Sequence, residues 1–357
     1  MLTRLEQARV AVVVLNWNGR DVLPACLEAL RAQTWRDFAV LVVDNHSDDN
    51  SGALVTTAFA DMTLLALPEN LGFAAGNNRG IEHLWRLQPS LEYIALLNND
   101  TRPQPTWLEH LVHALERRPD AGMAASKILQ WDGTAAPTTI DTAGDVFYRH
   151  GLAGKRGNGE AAANYAEPDE PFGACPAAAL YRGAMLRETG LFDEAFFAYN
   201  EDVDLNFRAQ LAGWRCVYEP RAVVWHRVSH SARQWLDRTL YWSKRNTVWV
   251  VIKNMPAGLL LRLLPRMLIY HLGSDCAWMA CGRIGPVVRG RWAALRGLRD
   301  MLRKRAVVQR ARRITSRELL ERMTRPARGH LRSRALWRWL RRRDDETSSC
   351  ARVARRG

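Results

Sequence analysis

Three carboxylates fall within four positions in Asn200-Glu201-Asp202-Val203-Asp204, just after Phe196, Phe197 and Tyr199. Like charges so close repel, and one of them gains a raised pKa suited to a general base. The plainer reading is a first helical turn, where acidic residues are favoured by the helix dipole. Amide and acidic residues also gather in Asn16-Trp17-Asn18-Gly19, in Asp44-Asn45-His46-Ser47-Asp48-Asp49, in Asn70-Leu71-Gly72 with Asn77, and in Asn98-Asn99-Asp100. Any one of these is an ordinary turn. Four of them, three following apolar runs and one leading into a helix, suggest one polar pocket for a nucleotide and a metal ion. His226 ends a further apolar stretch, Val223-Val224-Trp225, and is a candidate metal ligand as well as a candidate core histidine. Cys175 has no implied His partner and reads as a small buried hydrophobe.

The elements that must position these residues alternate. Val10 to Leu15, Ala39 to Asp44 and Tyr93 to Leu97 are continuous apolar runs, which implies strands buried on both faces in a parallel sheet. Helical patterns lie between and after them at 21–33 (capped by Asp21), 73–87 and 106–117. This is a βαβ alternation, and such sheets bind ligands at the carboxyl ends of their strands. The Gly72–Gly76 loop is neither GxGxxG nor a P-loop, which disfavours a dinucleotide dehydrogenase or an ATPase. Residues 151–170, rich in Gly, Ala and Asn, read as a flexible surface loop shaping an acceptor site or simply solvated.

The chain has 357 residues, 47% of them hydrophobic and 25% charged, which excludes wholesale disorder. Six cysteines without a CxxC pair exclude a disulfide scaffold and a zinc ribbon. The charged N-terminus is not expected to be a secretory signal. The net charge of +14 is divided: from Arg227 onward there are 32 basic and 8 acidic residues, before it 19 and 29. The basic part reads as helices at 235–251 and 257–269, mixing Leu and Trp with Arg, too interrupted to span a bilayer. Interfacial amphipathic helices on an anionic membrane surface are one reading, and packing against the acidic part is the other. The expected division is a catalytic domain over 1–231, an amphipathic basic helical region over 232–340 and a disordered basic tail over 341–357.

Taken together, VVVLNWNG, LVVDNHSDD, ENLGFAAGNNRGI, ALLNNDT, the GACPAAALYRGAMLRETGLFDEAFFAYNEDVDL block and VVWH resemble the family 2 glycosyltransferases of the GT-A fold, rhamnosyltransferase-like branch. The resemblance implies an α/β fold with a mixed, mainly parallel sheet flanked by helices, followed here by the basic appendage. It implies an inverting enzyme that moves a rhamnose-like or other hexose from a dTDP- or UDP-sugar to a lipid-linked or polysaccharide hydroxyl in cell-envelope synthesis. Asp44 would accept the pyrimidine imide hydrogen, with Asn16, Asn18 and Asn45 around it. Asn70, Gly72, Asn77 and Asn99 would lie against ribose and diphosphate. Asp100 and His226 would hold Mg²⁺ or Mn²⁺, and Asp202 would be the catalytic base, assisted by Glu201.

Two departures stand out. Asn98 occupies the first carboxylate place of the DXD-type motif, so Asp100 alone brings charge to the metal. The segment Gly173-Ala174-Cys175-Pro176-Ala177-Ala178 has Pro and Ala where the family usually shows Ser/Ala-Gly-Ala in the acceptor-side loop. Spacing alone does not choose among Glu201, Asp202 and Asp204 as base. The rival readings are a nucleic-acid-binding protein using the basic tail and a nucleotidyltransferase. No nucleic-acid partner is expected, and the implied location is the inner face of the cell membrane, peripherally attached.

Overall fold

The computed structural model describes residues 4–133, 136–227 and 236–325. The expected tail over 341–357 and the expected boundary at 231/232 lie outside the described residues. The first half runs α1 (Arg4–Gln7), β1 (Val10–Asn16), α2 (Leu23–Arg31), β2 (Phe38–Asp44), α3 (Ser51–Ala58), β3 (Thr63–Ala66), α4 (Gly72–Leu87) and β4 (Tyr93–Asn98). It continues through β5 (Thr101–Pro103), α5 (Trp107–Glu116), β6 (Ala121–Gln130), β7 (Ile140–Thr142), β8 (Asp145–Phe147), β9 (Ala153–Lys155) and β10 (Ala178–Arg182). Then come α6 (Gly183–Thr189), α7 (Glu201–Leu211) and β11 (Arg215–His226). Five helices close the described chain: α8 (Leu236–Asn254), α9 (Ala257–Ala280), α10 (Ile284–Arg296), α11 (Leu298–Arg310) and α12 (Ser316–Arg322).

The main sheet has the order β3-β2-β1-β4-β10-β6-β11-β5, with β7 on β6. β3, β2, β1 and β4 are parallel neighbours, and β10 is antiparallel to both β4 and β6. The apolar runs follow from burial on both sides. Val10, Val12 and Val14 face a cluster with Leu23 and Leu27 of α2 and Trp107 and Leu111 of α5. Ala11 and Val13 face the opposite cluster, with Ile81 and Leu84 of α4 and Met185 of α6. Alternate residues thus reach two dry layers, so no polar position is available along the strand.

Local details depart from the expectations. Asp21 does not cap α2. The turn is closed by the Gly19 carbonyl, which accepts from the Val22 and Leu23 amides at 3.0 and 2.8 Å, and Pro24 occupies the first helical turn. The segment 151–170 is not a featureless loop. It contains β9, paired with β8, and a short 3-10 turn at Ala162–Tyr165, and Tyr165 donates to Glu160 at 2.9 Å. Helix α9 runs through Pro265 and on to Ala280, well past the expected end at 269.

The basic helices share a core with the strand-bearing part. Trp249, Met255 and Leu259 pack with Phe147, Phe196, Val203 and Phe207, joined by Ala294, Met301 and Leu319. Polar ties reinforce this. The Lys253 ammonium lies 2.7 Å from Asp193 and 2.9 Å from Asp204, and Lys304 reaches the other Asp193 oxygen at 2.7 Å. Arg208 and Asn254 donate to Asp204 at 2.9 and 2.8 Å. Burial pushes the Asp204 carboxyl upward, but Lys253 and Arg208 overcome it and hold it at about 2. Since this lies below the ordinary 3.8, the stabilisation is complete above that value and is lost as pH falls through about 2. Replacing Lys253 by Met leaves two buried carboxylates short of a cation. We expect a loss of ~3–5 kcal/mol in urea unfolding at neutral pH; a loss below ~1 kcal/mol would show that Lys304 and Arg208 suffice.

Candidate active site

The site is built at the carboxyl ends of β1, β2 and β4. Asn16 and Asp44, at the ends of β1 and β2, are in register and nearly fully buried. The Asn16 amide donates to Asp44 at 3.1 Å and to Ser51 at 2.8 Å, and Ser47 donates to the same Asp44 oxygen at 2.5 Å. Asn99 donates to the Asn16 carbonyl oxygen at 2.8 Å, which ties the turn after β4 into the network. Asn18, at a φ of 49°, accepts from the Asp48 amide at 2.9 Å and so locks the β1 loop onto the β2 loop. A cleft of about 270 Å³ opens here, lined by Asn18, Gly19, Arg20, Asp21, Val22 and Asp49.

A second network sets the start of α4. Asn45 donates to Asn70 at 3.1 Å and to the Gly72 carbonyl at 3.2 Å, and it accepts from the Leu71 amide at 2.9 Å. Asn70 accepts from the Gly72 amide at 2.9 Å. Gly72 has a φ of +79°, and a Cβ there would meet the Phe197 ring at 2.7 Å, so the position needs glycine on two counts. Asn77 does not join either network: its amide donates to the Phe73 carbonyl of its own helix at 2.9 Å.

Asp100 and His226 come together from the turn after β4 and the end of β11. The His226 Nε2 lies 3.2 Å from Asp100 Oδ1, and its Nδ1 lies 2.9 Å from Asp141 Oδ2. Lys155 in turn donates to both Asp141 oxygens at 2.9 Å. Burial alone would lower the His226 pKa, but the bonds to Asp100 and Asp141 lift it to about 9. Asp141 is held at about 2, because the His226 bond and the Lys155 charge outweigh its burial. A carboxylate oxygen and an imidazole nitrogen converging on one point, with a carboxylate orienting the far side of the ring, are a donor set that fits a divalent cation. Asn99 is already committed to Asn16 and does not join them.

Next along the rim is the acidic start of α7. Glu201 is buried with one carboxylate oxygen lacking a hydrogen-bond partner, and burial with Asp202 beside it pushes its pKa well up. Asp202 is partly exposed and accepts from the Val203 amide at 2.8 Å. Desolvation raises its pKa against the opposing pull of the Val203 amide and Lys155. Oxygens of Asp145 and Asp202 and the Cys175 sulfur all lie within 4.8 Å of one another. Burial and the neighbouring Asp145 drive the Cys175 thiol well up, so it remains protonated, as expected of an inert thiol. Asp204 is tied to Lys253, Arg208 and Asn254 and is not available to a substrate.

The loop before α7 is held from the basic half. Phe197, Tyr199 and Asn200 have φ values of 65°, 68° and 65°, a left-handed run that costs energy unless over-determined. Asn246 of α8 supplies the restraint: its amide nitrogen lies 3.0, 2.9 and 2.6 Å from the carbonyls of Phe196, Ala198 and Tyr199. Arg245 also donates to the Phe196 carbonyl at 2.8 Å, and Trp242 stacks on Phe197 with centroids 5.0 Å apart.

The sequence model of Glycosyl transferase family 2 matches residues 11–189, half of the chain. The chain belongs to this family. It is 30% identical over 239 residues to the N-acetylglucosaminyl-diphospho-decaprenol L-rhamnosyltransferase of Mycobacterium tuberculosis, covering 62% of this chain and 76% of that relative. Among solved structures it is similar to GalNAc-T7 with UDP, GalNAc and Mn²⁺ (TM-score 0.56, 13% identity), over 84% of this chain and 57% of that one. It is also similar to residues 1–349 of Staphylococcus aureus TarS in complex with UDP (TM-score 0.51, 15% identity), over 84% of this chain and 87% of that one. At these identities the structural likeness speaks to the GT-A fold alone. The protein is therefore a glycosyltransferase, and the nucleotidyltransferase and nucleic-acid readings fall away.

The sequence reading of this family 2 glycosyltransferase missed Asp141, Asp145 and Lys155, because they carry no motif and residues 151–170 read as a flexible loop. The available signal was acidic residues set among apolar ones in Ile140-Asp141-Thr142-Ala143-Gly144-Asp145, where a solvated loop has no reason to alternate. It also missed Asn246, whose role depends on a contact 47 residues away. Replacing Asn246 by Ala removes its contacts to three carbonyls of the strained loop. We expect transfer to fall by about 10²-fold through misplacement of the loop, with nucleotide binding unchanged by calorimetry; transfer at the unaltered rate would show that Arg245 and Trp242 hold the loop alone.

Proposed function

We propose that this glycosyltransferase moves a sugar, rhamnose-like or another hexose, from a dTDP- or UDP-sugar to a hydroxyl of a lipid-linked or polysaccharide acceptor, with inversion. The setting we infer is cell-envelope glycan synthesis at the cytoplasmic membrane face. The observation that carries it is continuity. From Asp44 the contacts run through Asn16 to Asn99, and from the adjacent Asp100 through His226 and Asp141 to Lys155. Lys155 is paired in register with Asp145, which neighbours Asp202. Nucleotide-binding, charge-neutralising and proton-accepting groups thus share one rim. The name of the mycobacterial relative, an L-rhamnosyltransferase acting on a diphospho-decaprenol sugar, supports the donor and acceptor classes.

The residues divide the work by their surroundings. Asp44, with Asn16, Asn18 and Asn45, would receive the base; Asn70, Gly72 and Asn99 would lie along ribose and diphosphate, while Asn77, bound to its own helix, would not reach them. Asp100 and His226 would hold Mg²⁺ or Mn²⁺, and the imidazole nitrogen favours Mn²⁺ over the harder ion. The bound cation would supply positive charge to the departing diphosphate. Asp202 is the best base of the four carboxylates: Asp204 is consumed by cations, Glu201 and Asp145 are buried, and Asp202 is partly exposed with its pKa raised by desolvation. The acceptor O–H proton passes to Asp202 as its oxygen bonds to the anomeric carbon. The anomeric C–O bond to phosphate breaks on the opposite face, and the nucleoside diphosphate leaves with the electron pair. Burial and the adjacent Asp202 push the Glu201 pKa well up, and its buried carboxyl would help position the loop that carries Asp202.

Two substitutions separate these roles, using a panel of dTDP-, UDP- and GDP-sugars with Mn²⁺. Asp202→Asn should keep donor binding by saturation-transfer NMR while transfer falls by about 10²–10⁴-fold; full transfer would remove Asp202 as base. Asp44→Ala should weaken the preferred nucleotide by about tenfold or more, the loss of one charge-assisted hydrogen bond. Unchanged affinity would take the base away from Asp44.

A further inference from the structure

Eleven of the fourteen large apolar side chains exposed among the described residues fall between Leu261 and Val307. They are not scattered. On α9, Leu261, Leu264, Leu268, Ile269 and Leu272 recur at helical spacing, the last three being 51, 64 and 60% exposed. On α10, Ile284, Val288, Trp292 and Leu295 do the same, each more than half exposed. Single exposed apolar residues are normal; two continuous stripes on adjacent helices mark an interaction surface.

The stripes are held outward. The opposite side of α9 buries Leu259 and Met267, and Met267 and His271 pack over Gly151. His150 stacks on Tyr270 with centroids 4.1 Å apart, which clamps the β8–β9 turn to α9. On α10, Val287 and Ala294 are buried while the stripe faces away. The apolar faces therefore have no partner within the described residues and no freedom to rotate inward.

Charge identifies the occupant. Arg262, Arg266, Arg289, Arg296 and Arg299 flank the stripes, and none is in an ion pair among the described residues. Arg296 lies over Trp292 at 5.2 Å, an aromatic and a cation side by side at a boundary. Between 257 and 299 the one acidic residue, Asp275, is buried against Lys244 and Arg291.

We propose that the outer faces of α9 and α10 form a platform that lies in an anionic bilayer surface, apolar stripes among the acyl chains and arginines on the lipid phosphates. No described helix is long and apolar enough to cross a membrane, so the platform lies on it rather than through it. A second copy of the chain fits poorly, because a two-fold contact would set arginines against arginines with no carboxylate between them. A nucleic acid would satisfy the arginines but leave the apolar stripes wet. This inference names the membrane contact of the function proposed above, yet it stands on exposure and charge and survives if the sugar-transfer roles are reassigned.

The test is flotation of the purified full chain with phosphatidylcholine vesicles, with and without phosphatidylglycerol, at low and high salt. The chain should float with the phosphatidylglycerol vesicles and be released by salt. A Leu268→Gln, Leu272→Gln, Trp292→Gln variant should bind at least about tenfold more weakly. An Arg262→Gln, Arg266→Gln, Arg289→Gln, Arg296→Gln variant should lose at least about tenfold as well. Both should keep the parental thermal midpoint, since every altered position is exposed. The proposal is overturned if the parent does not float, or if the leucine–tryptophan variant floats as well as the parent. It is equally overturned if the parent is a dimer that this variant converts to a monomer.

Discussion

Lys253 is the residue on which the two halves of this protein depend. Its ammonium is buried between Asp193 and Asp204, one on each side of the loop that leads into α7. A buried cation between two carboxylates contributes little net stability compared with an apolar core, but it enforces register, since a displaced partner would be left charged and dry. Lys253 therefore fixes where α8 lies along α7, and one helical stretch earlier Asn246 fixes the left-handed loop. The acidic and basic parts of the sequence meet here as complementary surfaces, which explains why so uneven a charge distribution is compatible with one shared core.

The parallel part of the fold was readable from the residues alone. Unbroken Val and Leu runs can be satisfied only by strands covered on both faces, and β1, β2 and β4 match the expected runs to within a residue. The amides at their ends were readable for the same reason, because a strand that is apolar throughout makes its polar terminus conspicuous. The antiparallel strand β10 and the short strands β7 to β9 were not. They are three to five residues long, too short to show a period, and β10 pairs with the distant β4. Helix periodicity in the basic half was visible, but its division into a buried and an exposed face was not, since Leu and Met serve both sides equally well.

The candidate site shows the same limit. Asp44, Asp100, Asp202 and His226 stand in motifs and could be named in advance. Spacing left three carboxylates open as the base, and only packing separates them: Asp204 among cations, Glu201 sealed from solvent, Asp202 partly exposed. Asp141 on β7 and Asp145 and Lys155 on the β8–β9 hairpin carry no motif, yet they link the Asp100–His226 pair to Asp202.

Gly72 meets the loop before α7 at a point where neither side has slack. The Ala74 amide donates to the Phe197 carbonyl at 3.1 Å, and the Phe197 ring lies where a Gly72 side chain would start. Every other residue at this position brings a Cβ, and L side chains resist its backbone angle. The position is thus closed to a side chain from two directions, and any displacement of the α4 start must carry the Phe197 loop with it.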